Sequence, residues 1–257
     1  AATGANDGTS WENAYAHLED ALAAAQYGGE VWVAAGVYNP PPAADPRPDY
    51  PCSPFFAKNG VRVYGGFKGD EQTRESRNPD PFTNNTILSG DINGDDNDNL
   101  SLDEPTRQDN ADNILTFDKC DFSTTFDGFT ITCGNSAGVF VIESRPLLRN
   151  LRISHNLANY LFSGSGGGMF CREIYCPIDL PAEGTMWDDY YGDDSEITDA
   201  IVRLENVYFI ENGATFGAGG IFSLQSSLEL TNVHFIGNFG SSGGGLCAQA
   251  DFECGNY

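Results

Sequence analysis

The chain has 257 residues, 40% hydrophobic and 12% aromatic, enough apolar material for a core and against disorder along its whole length. Its 37 acidic residues against 13 basic ones give a net charge of −24. That balance excludes nucleic acid and anionic membrane as partners, because phosphate binding needs a basic face; calcium, cationic surfaces and neutral glycans suit it, and so does solubility alone.

The first element is a helix beginning near Trp11, capped by Ser10 or Thr9, with Trp11, Ala14, Leu18, Ala21, Leu22 and Ala25 on one apolar face and Gly28-Gly29 as its stop. Residues 1–29 thus read as a helical cap over the first strand, Glu30 to Ala34, after which Gly36 opens a turn. Seven prolines between Asn39 and Pro54 predict a surface loop without ladder bonds. A strand resumes at Val61 to Tyr64 and turns at Gly65-Gly66; a polar loop, Lys68 to Asn85, leads to the strand Thr86-Ile87-Leu88. A long acidic loop, Asp91 to Asp112, precedes a strand from Asn113 to Phe117.

From there the sequence repeats itself. Asp127-Gly128-Phe129-Thr130-Ile131, Arg149-Asn150-Leu151-Arg152-Ile153, Glu205-Asn206-Val207-Tyr208-Phe209 and Thr231-Asn232-Val233-His234-Phe235 share one form, at spacings of 22, 56 and 26 residues. The 56 contains an acidic insertion, 173–198. Gly167-Gly168-Met169, Gly219-Gly220-Ile221 and Gly244-Gly245-Leu246 keep the same beat, and so do Asn156, Asn212 and Asn238. Glycine pairs permit corners where a Cβ would clash. Asparagine at a bend can bond neighbouring backbone and tolerate a left-handed conformation. A period in the twenties with alternating apolar residues predicts an all-β fold, a right-handed parallel β-helix (solenoid), as a single domain over 1–257. A leucine-rich repeat would need spaced leucines and a helical half-repeat, and the sequence has neither.

At these residues the chain resembles known families. Gly219-Gly220-Ile221 with Phe209-Ile210-Glu211-Asn212 and Phe235-Ile236-Gly237-Asn238 is similar to the repeats of chlamydial polymorphic outer-membrane proteins. Asn6 to Trp11, Val31 to Tyr38, Val63 to Phe67 and Thr86 to Asp91 resemble secreted pectin-lyase-like β-helix proteins. The resemblance implies adhesins and other surface proteins on one side and polysaccharide-acting enzymes, lyases or hydrolases, on the other.

Seven cysteines with few lysines read as an extracellular, disulfide-bearing chain; Cys171 with Cys176 and Cys247 with Cys254 could close short loops, leaving a thiol such as Cys52 over. The opening Ala-Ala-Thr-Gly is what a mature end left by signal removal would look like, and a chain trimmed from a longer one would look the same. No apolar run is long enough for a direct membrane span. Asn84 and Asn99 lie in glycosylation acceptor tripeptides.

Asp91, Asn93, Asp95, Asn97 and Asn99 offer oxygens at every second residue, as a Ca2+ loop does, although Asp96 stands where a glycine is wanted and Leu102 where a bidentate acid belongs; a solvated acidic loop is the plain alternative. Asp118, Asp121 and Asp127 beside Lys119, with Arg149 and Arg152 one repeat on, are the acids and bases a polysaccharide lyase would use, and alternate polar positions on a strand face yield the same cluster without catalysis. His17, His155 and His234 form no triad or metal grouping in sequence. Trp187, Tyr190 and Tyr191 in the insertion could stack on sugar rings or a partner protein, or pin the insertion to the body. The expectation is a non-enzymatic extracellular structural or adhesive protein at the cell surface, with itself, other surface proteins or glycans as partners, and an open end able to stack head to tail into a fibre.

Overall fold

The computed structural model describes residues 2–47, 50–158, 165–173 and 201–249. They form an all-β protein built of parallel sheets, with one α-helix, Leu18–Ala24, among the described residues. No helix there is long and apolar enough to cross a membrane.

The largest sheet runs Glu30–Ala34, Arg62–Phe67, Thr125–Thr132, Leu147–Ser154, Ile201–Ile210, Ser227–Ile236, with Gly36–Tyr38 and Thr86–Ser89 beside its path. A six-stranded sheet runs Phe55–Phe56, Leu115–Asp118, Val139–Ile142, Met169–Arg172, Ile221–Leu224, Leu246–Gln249. A three-stranded sheet joins Leu157–Ala158, Gly213–Ala214 and Phe239–Gly240. In all three sheets neighbouring strands come from successive stretches of the chain and lie parallel.

The sequence marks pair with one another. Phe129 partners Leu151, Leu151 partners Val207, and Val207 partners Val233. In the six-stranded sheet Met169 partners Ile221 and Ile221 partners Leu246. Equal side chains therefore stack: the Phe209 and Phe235 rings lie 5.2 Å apart and 13° from parallel. Phe126, Phe129, Leu148, Leu151, Leu204, Val207 and Phe209 are fully buried in the core, each burial contributing roughly 1.5–3 kcal/mol before chain entropy is counted. The glycine pairs are required by space. A Cβ on Gly220 would run into the Gly245 carbonyl oxygen, and one on Gly219 into that of Phe239.

Several local expectations are corrected. The helix starts at Leu18, not near Trp11, and spans seven residues. Ahead of it, side chains take the backbone donors that a helix would need: Asn13 Oδ1 accepts from Ala5, Asn6 Oδ1 from Ala16, and Asp7 Oδ1 from Thr9. Trp11 instead packs on Trp32 and Phe67, with its indole N–H donated to the Glu71 carbonyl at 2.9 Å. Gly36 begins a strand that pairs with Thr86–Ser89 rather than a turn. Gly65 and Gly66 lie inside Arg62–Phe67, where the register slips by one residue and Gly66 takes φ +89°. The proline-rich stretch holds a short antiparallel pair, Pro42–Arg47 with Tyr50–Cys52, whose register is irregular.

Among the described residues Cys52, Cys120, Cys133, Cys171 and Cys247 are free thiols; that agrees with the left-over Cys52 and departs from the loop closures expected at Cys171 and Cys247. Burial pushes the Cys120 and Cys133 thiols up to about 11, which removes their thiolate character at neutral pH. Cys176 and Cys254 lie outside the described residues, as do Trp187, Tyr190, Tyr191 and all but the first residue of the 173–198 insertion.

Candidate functional site

The outward face of the largest sheet carries the densest chemistry. Along one row Tyr64 partners Asp127, Asp127 partners Arg149, Arg149 partners Glu205, and Glu205 partners Thr231. Asp127 is fully buried at its centre. Its Oδ2 is ion-paired with Arg77 Nη2 at 2.6 Å and accepts from Arg149 Nε and Nη2 at 3.1 and 3.0 Å; its Oδ1 accepts from Asn150 Nδ2 at 2.7 Å. Arg77 reaches in from the 68–85 loop, also donating to the Gly65 carbonyl, and the Arg74 and Arg77 guanidiniums each sit 5.1 Å from the centre of the Tyr64 ring. All of this holds the loop against the sheet. A fully buried carboxylate that accepts three hydrogen bonds and faces two guanidiniums is a structural anchor, out of reach of a substrate in solution.

Two asparagine columns flank this row. In the outer one Asn206 Nδ2 donates to Asn150 Oδ1 at 3.1 Å and Asn232 Nδ2 to Asn206 Oδ1 at 2.8 Å. These three residues are themselves left-handed, at φ 50°, 55° and 53°. In the inner one Asn156 Nδ2 donates to Asn212 Oδ1 at 3.0 Å and Asn212 Nδ2 to Asn238 Oδ1 at 2.9 Å, and the backbone N–H groups of Asn156 and Asn212 donate to the same oxygens. The left-handed residue there is the one before each asparagine: His155, Glu211 and Gly237. The expected bend is present, but the strain sits one position earlier than the asparagine.

Beyond the outer column lies an aromatic ridge in which Phe82 and His234 are exposed and Tyr208 is half-buried. Tyr208 stacks on His234 at 4.6 Å and 7°, Phe82 meets Tyr208 edge-on at 4.8 Å, and the Arg152 guanidinium lies 5.9 Å from the centre of the Phe82 ring. His155 faces Glu211 at 3.0 Å on the neighbouring corner. His17 lies apart, at the helix N-cap. Asp118 and Lys119 are exposed; Lys119 stands 3.9 Å from Glu143. Burial opposes ionisation of Asp121, but hydrogen bonds from Ser123 and Tyr27 outweigh it and hold its carboxyl below the usual range. Asp121 and Asp127, expected in one catalytic cluster, are thus engaged in separate contacts.

The acidic loop does not gather its alternating oxygens. Asp91 Oδ1 accepts from the backbone of Gly94 and Asp95, and Oδ2 from that of Asp96, so this carboxylate organises the turn. Asn97 and Asn99 turn their amide nitrogens to Glu104 at 3.0 and 2.5 Å. The loop instead brings Asp91 and Asp95 together with Asp109, their carboxylate oxygens within 4.8 Å of one another. Asp109 also accepts from the Asn93 backbone N–H at 2.8 Å. A cleft of about 480 Å³ beside them is lined by Val37, Ile87, Asp91, Ile92 and Asn93 among others. Deeper in the loop, burial raises the pKa of Asp96, which accepts from Arg107 and Asn110.

Of the glycosylation candidates, Asn84 donates the nitrogen that would carry a glycan to the Asn78 and Gly128 carbonyls, both at 3.2 Å, and Thr86 of its tripeptide is fully buried. Asn99 is exposed. Sequence reasoning missed Arg77 and Phe82, which carry no repeat mark. The outer column was visible as an asparagine recurring second in three of the four repeat segments.

Chain and site together define a protein of parallel β-sheets whose repeats bind each other through side-chain ladders. Comparisons with protein-family models, with curated proteins and with solved structures returned no match.

Proposed function

We propose that the chain is a right-handed parallel β-helix serving as a non-enzymatic structural or adhesive scaffold on the outside of the cell. The observation that carries this reading is the in-register column Phe129–Leu151–Val207–Val233, flanked by two continuous asparagine ladders. Columns of that kind make a stiff support that grows by nearest-neighbour contacts. A scaffold rather than an enzyme is favoured because Asp127 is buried, ion-paired with Arg77 of the 68–85 loop and bonded by Arg149 and Asn150 of the neighbouring strand. The ridge of exposed Phe82 and His234 with half-buried Tyr208 between them is the surface such a scaffold would present to surface proteins or glycans. The calcium reading narrows to Asp91 and Asp95 with Asp109.

The test is a panel of acidic and neutral polysaccharides together with intact cells. Binding that weakens in Tyr208→Ala, with no unsaturated product and no new reducing ends, is the expected result. Turnover on any glycan would overturn the scaffold reading in favour of a polysaccharide-acting enzyme. For calcium, the expected outcome is a melting temperature raised by the added ion and a rise abolished in Asp109→Asn. Equal melting in calcium and in chelator would remove the ion from the account.

A further inference from the structure

Asparagine is followed by glycine at three places in the chain: Asn59-Gly60, Asn93-Gly94 and Asn212-Gly213. Such a step carries a chemistry of its own. With no Cβ on the second residue to hinder it, the glycine nitrogen can reach the side-chain carbonyl carbon of the asparagine and close a succinimide ring. Closure needs a side-chain amide free to turn, space around the glycine, and an acceptor for its N–H proton. Two of the three steps are denied these conditions. Asn212 is fully buried, its amide donates to Ile153 and Asn238, and its oxygen accepts from Asn156. The Gly213 N–H donates to the Asn156 carbonyl at 2.8 Å, which is no base. Asn59 holds the Asp121 N–H on its oxygen at 2.9 Å, and Gly60 is buried against the Tyr27 ring with its N–H on Thr124 Oγ1.

Asn93-Gly94 meets all of them. Both residues are exposed, and a Cβ placed on Gly94 would meet open space. Asn93 is held through its backbone, whose N–H donates to Asp109 Oδ2 at 2.8 Å, while its side-chain amide bonds no described residue. Gly94 takes φ +72°, which glycine adopts without strain. Its N–H donates to Asp91 Oδ1 at 2.7 Å, within the reach a general base needs to the proton it removes. Of the three glycine N–H groups, this one alone is bonded to a carboxylate.

We infer that Asn93-Gly94 is a site of self-modification, where Asp91 acts as the base and Asn93 is converted to aspartate and isoaspartate. The Gly94 nitrogen bonds to Asn93 Cγ as its proton passes to Asp91. The Cγ–Nδ2 bond then breaks, Asp91 returns the proton to the leaving nitrogen, and ammonia departs. Water opens the ring at either carbonyl and restores the Gly94 N–H, so no other reactant is consumed. Either product sets a new carboxylate beside Asp91, Asp95 and Asp109. The isoaspartate also adds a methylene to the main chain of the turn that Asp91 organises. The reaction asks for no metal, so it stands or falls apart from the calcium reading.

The test incubates the full folded chain at neutral pH and follows the three asparagines by peptide mass spectrometry, with an isoaspartyl methyltransferase reading the isoaspartate. Asn93 should convert while Asn59 and Asn212 stay intact. In urea all three should convert at one common rate, and folded Asn93 should exceed it. Asp91→Asn keeps an oxygen for the Gly94 N–H but cannot take its proton, and should slow Asn93 about tenfold or more. Asp98→Asn removes a charge from the same loop and should leave the rate unchanged. Survival of Asn93 in the folded chain, or conversion no faster than in urea, would overturn the inference. Equal rates in Asp91→Asn and Asp98→Asn would overturn it too, since the carboxylate at the Gly94 N–H would then have no part in the reaction.

Discussion

The two asparagine ladders use the same side chain at the same repeat spacing and solve opposite problems. In the inner ladder Asn212 is fully buried and spends its whole hydrogen-bonding capacity: its amide donates to Ile153 and Asn238, and its oxygen accepts twice from Asn156. In the outer ladder Asn206 is exposed to water, makes two side-chain bonds, and is itself left-handed. The inner asparagine is chosen for its amide, whose four sites match four orphan partners. The outer one is chosen for its backbone, since asparagine tolerates φ near +55° better than other side chains with a Cβ. One residue type recurring in step can therefore report either polar satisfaction or conformation, and burial separates the two.

Removing the anchor of the outer ladder should have the largest effect. Asp127→Ala leaves Arg77 without its carboxylate partner and strips Arg149 and Asn150 of their acceptor. Breaking a buried pair from one side costs about 3–5 kcal/mol, read as a fall in the urea midpoint with m unchanged. If it melts like the parent, the ion cluster is not what holds the 68–85 loop. Next is the inner ladder. Asn212→Ala orphans the Asn156 N–H and the Ile153 carbonyl in a dry site, a loss of about 3 kcal/mol. Thermal unfolding should then drop by roughly 6–12 °C for a chain of this size. A drop of a degree or two would mean that water enters the column and takes over its bonds.

The repeat was legible because strand pairing copies side chains from one turn of the pattern to the next. Phe129, Leu151, Val207 and Val233 could be aligned by spacing alone, and they are partners. The glycine pairs were legible for the same reason, since the Cβ clash of Gly168 with the Gly220 carbonyl recurs between Gly220 and Gly245. What escaped was whatever occurs once. The helix was drawn seven residues too early because apolar spacing says nothing of Asn6, Asp7 and Asn13 capturing backbone donors. The candidate calcium loop was drawn from alternation, but Asn97 and Asn99 answer to Glu104, and the carboxylate that gathers beside Asp91 and Asp95 is that of Asp109. Asp127 was singled out as a possible catalytic acid. Its fate depends on Arg77, 50 positions earlier in a loop with no periodic signature.

The smallest effects give the sharpest form of the comparison, because they separate conformation from hydrogen bonding at one position. Asn206→Gly removes the two exposed ladder bonds and keeps the left-handed backbone free of strain. Asn206→Val removes the same two bonds and places a β-branched side chain at φ 55°. If the outer ladder is retained for its backbone, valine should cost about 1–2 kcal/mol and glycine no more than a few tenths, since exposed hydrogen bonds exchange with water at little net loss. The paired urea melts then differ almost wholly through the strain. Equal losses in the two variants would place the value of the outer ladder in its hydrogen bonds, and the two columns would have to be regarded as one device at two depths.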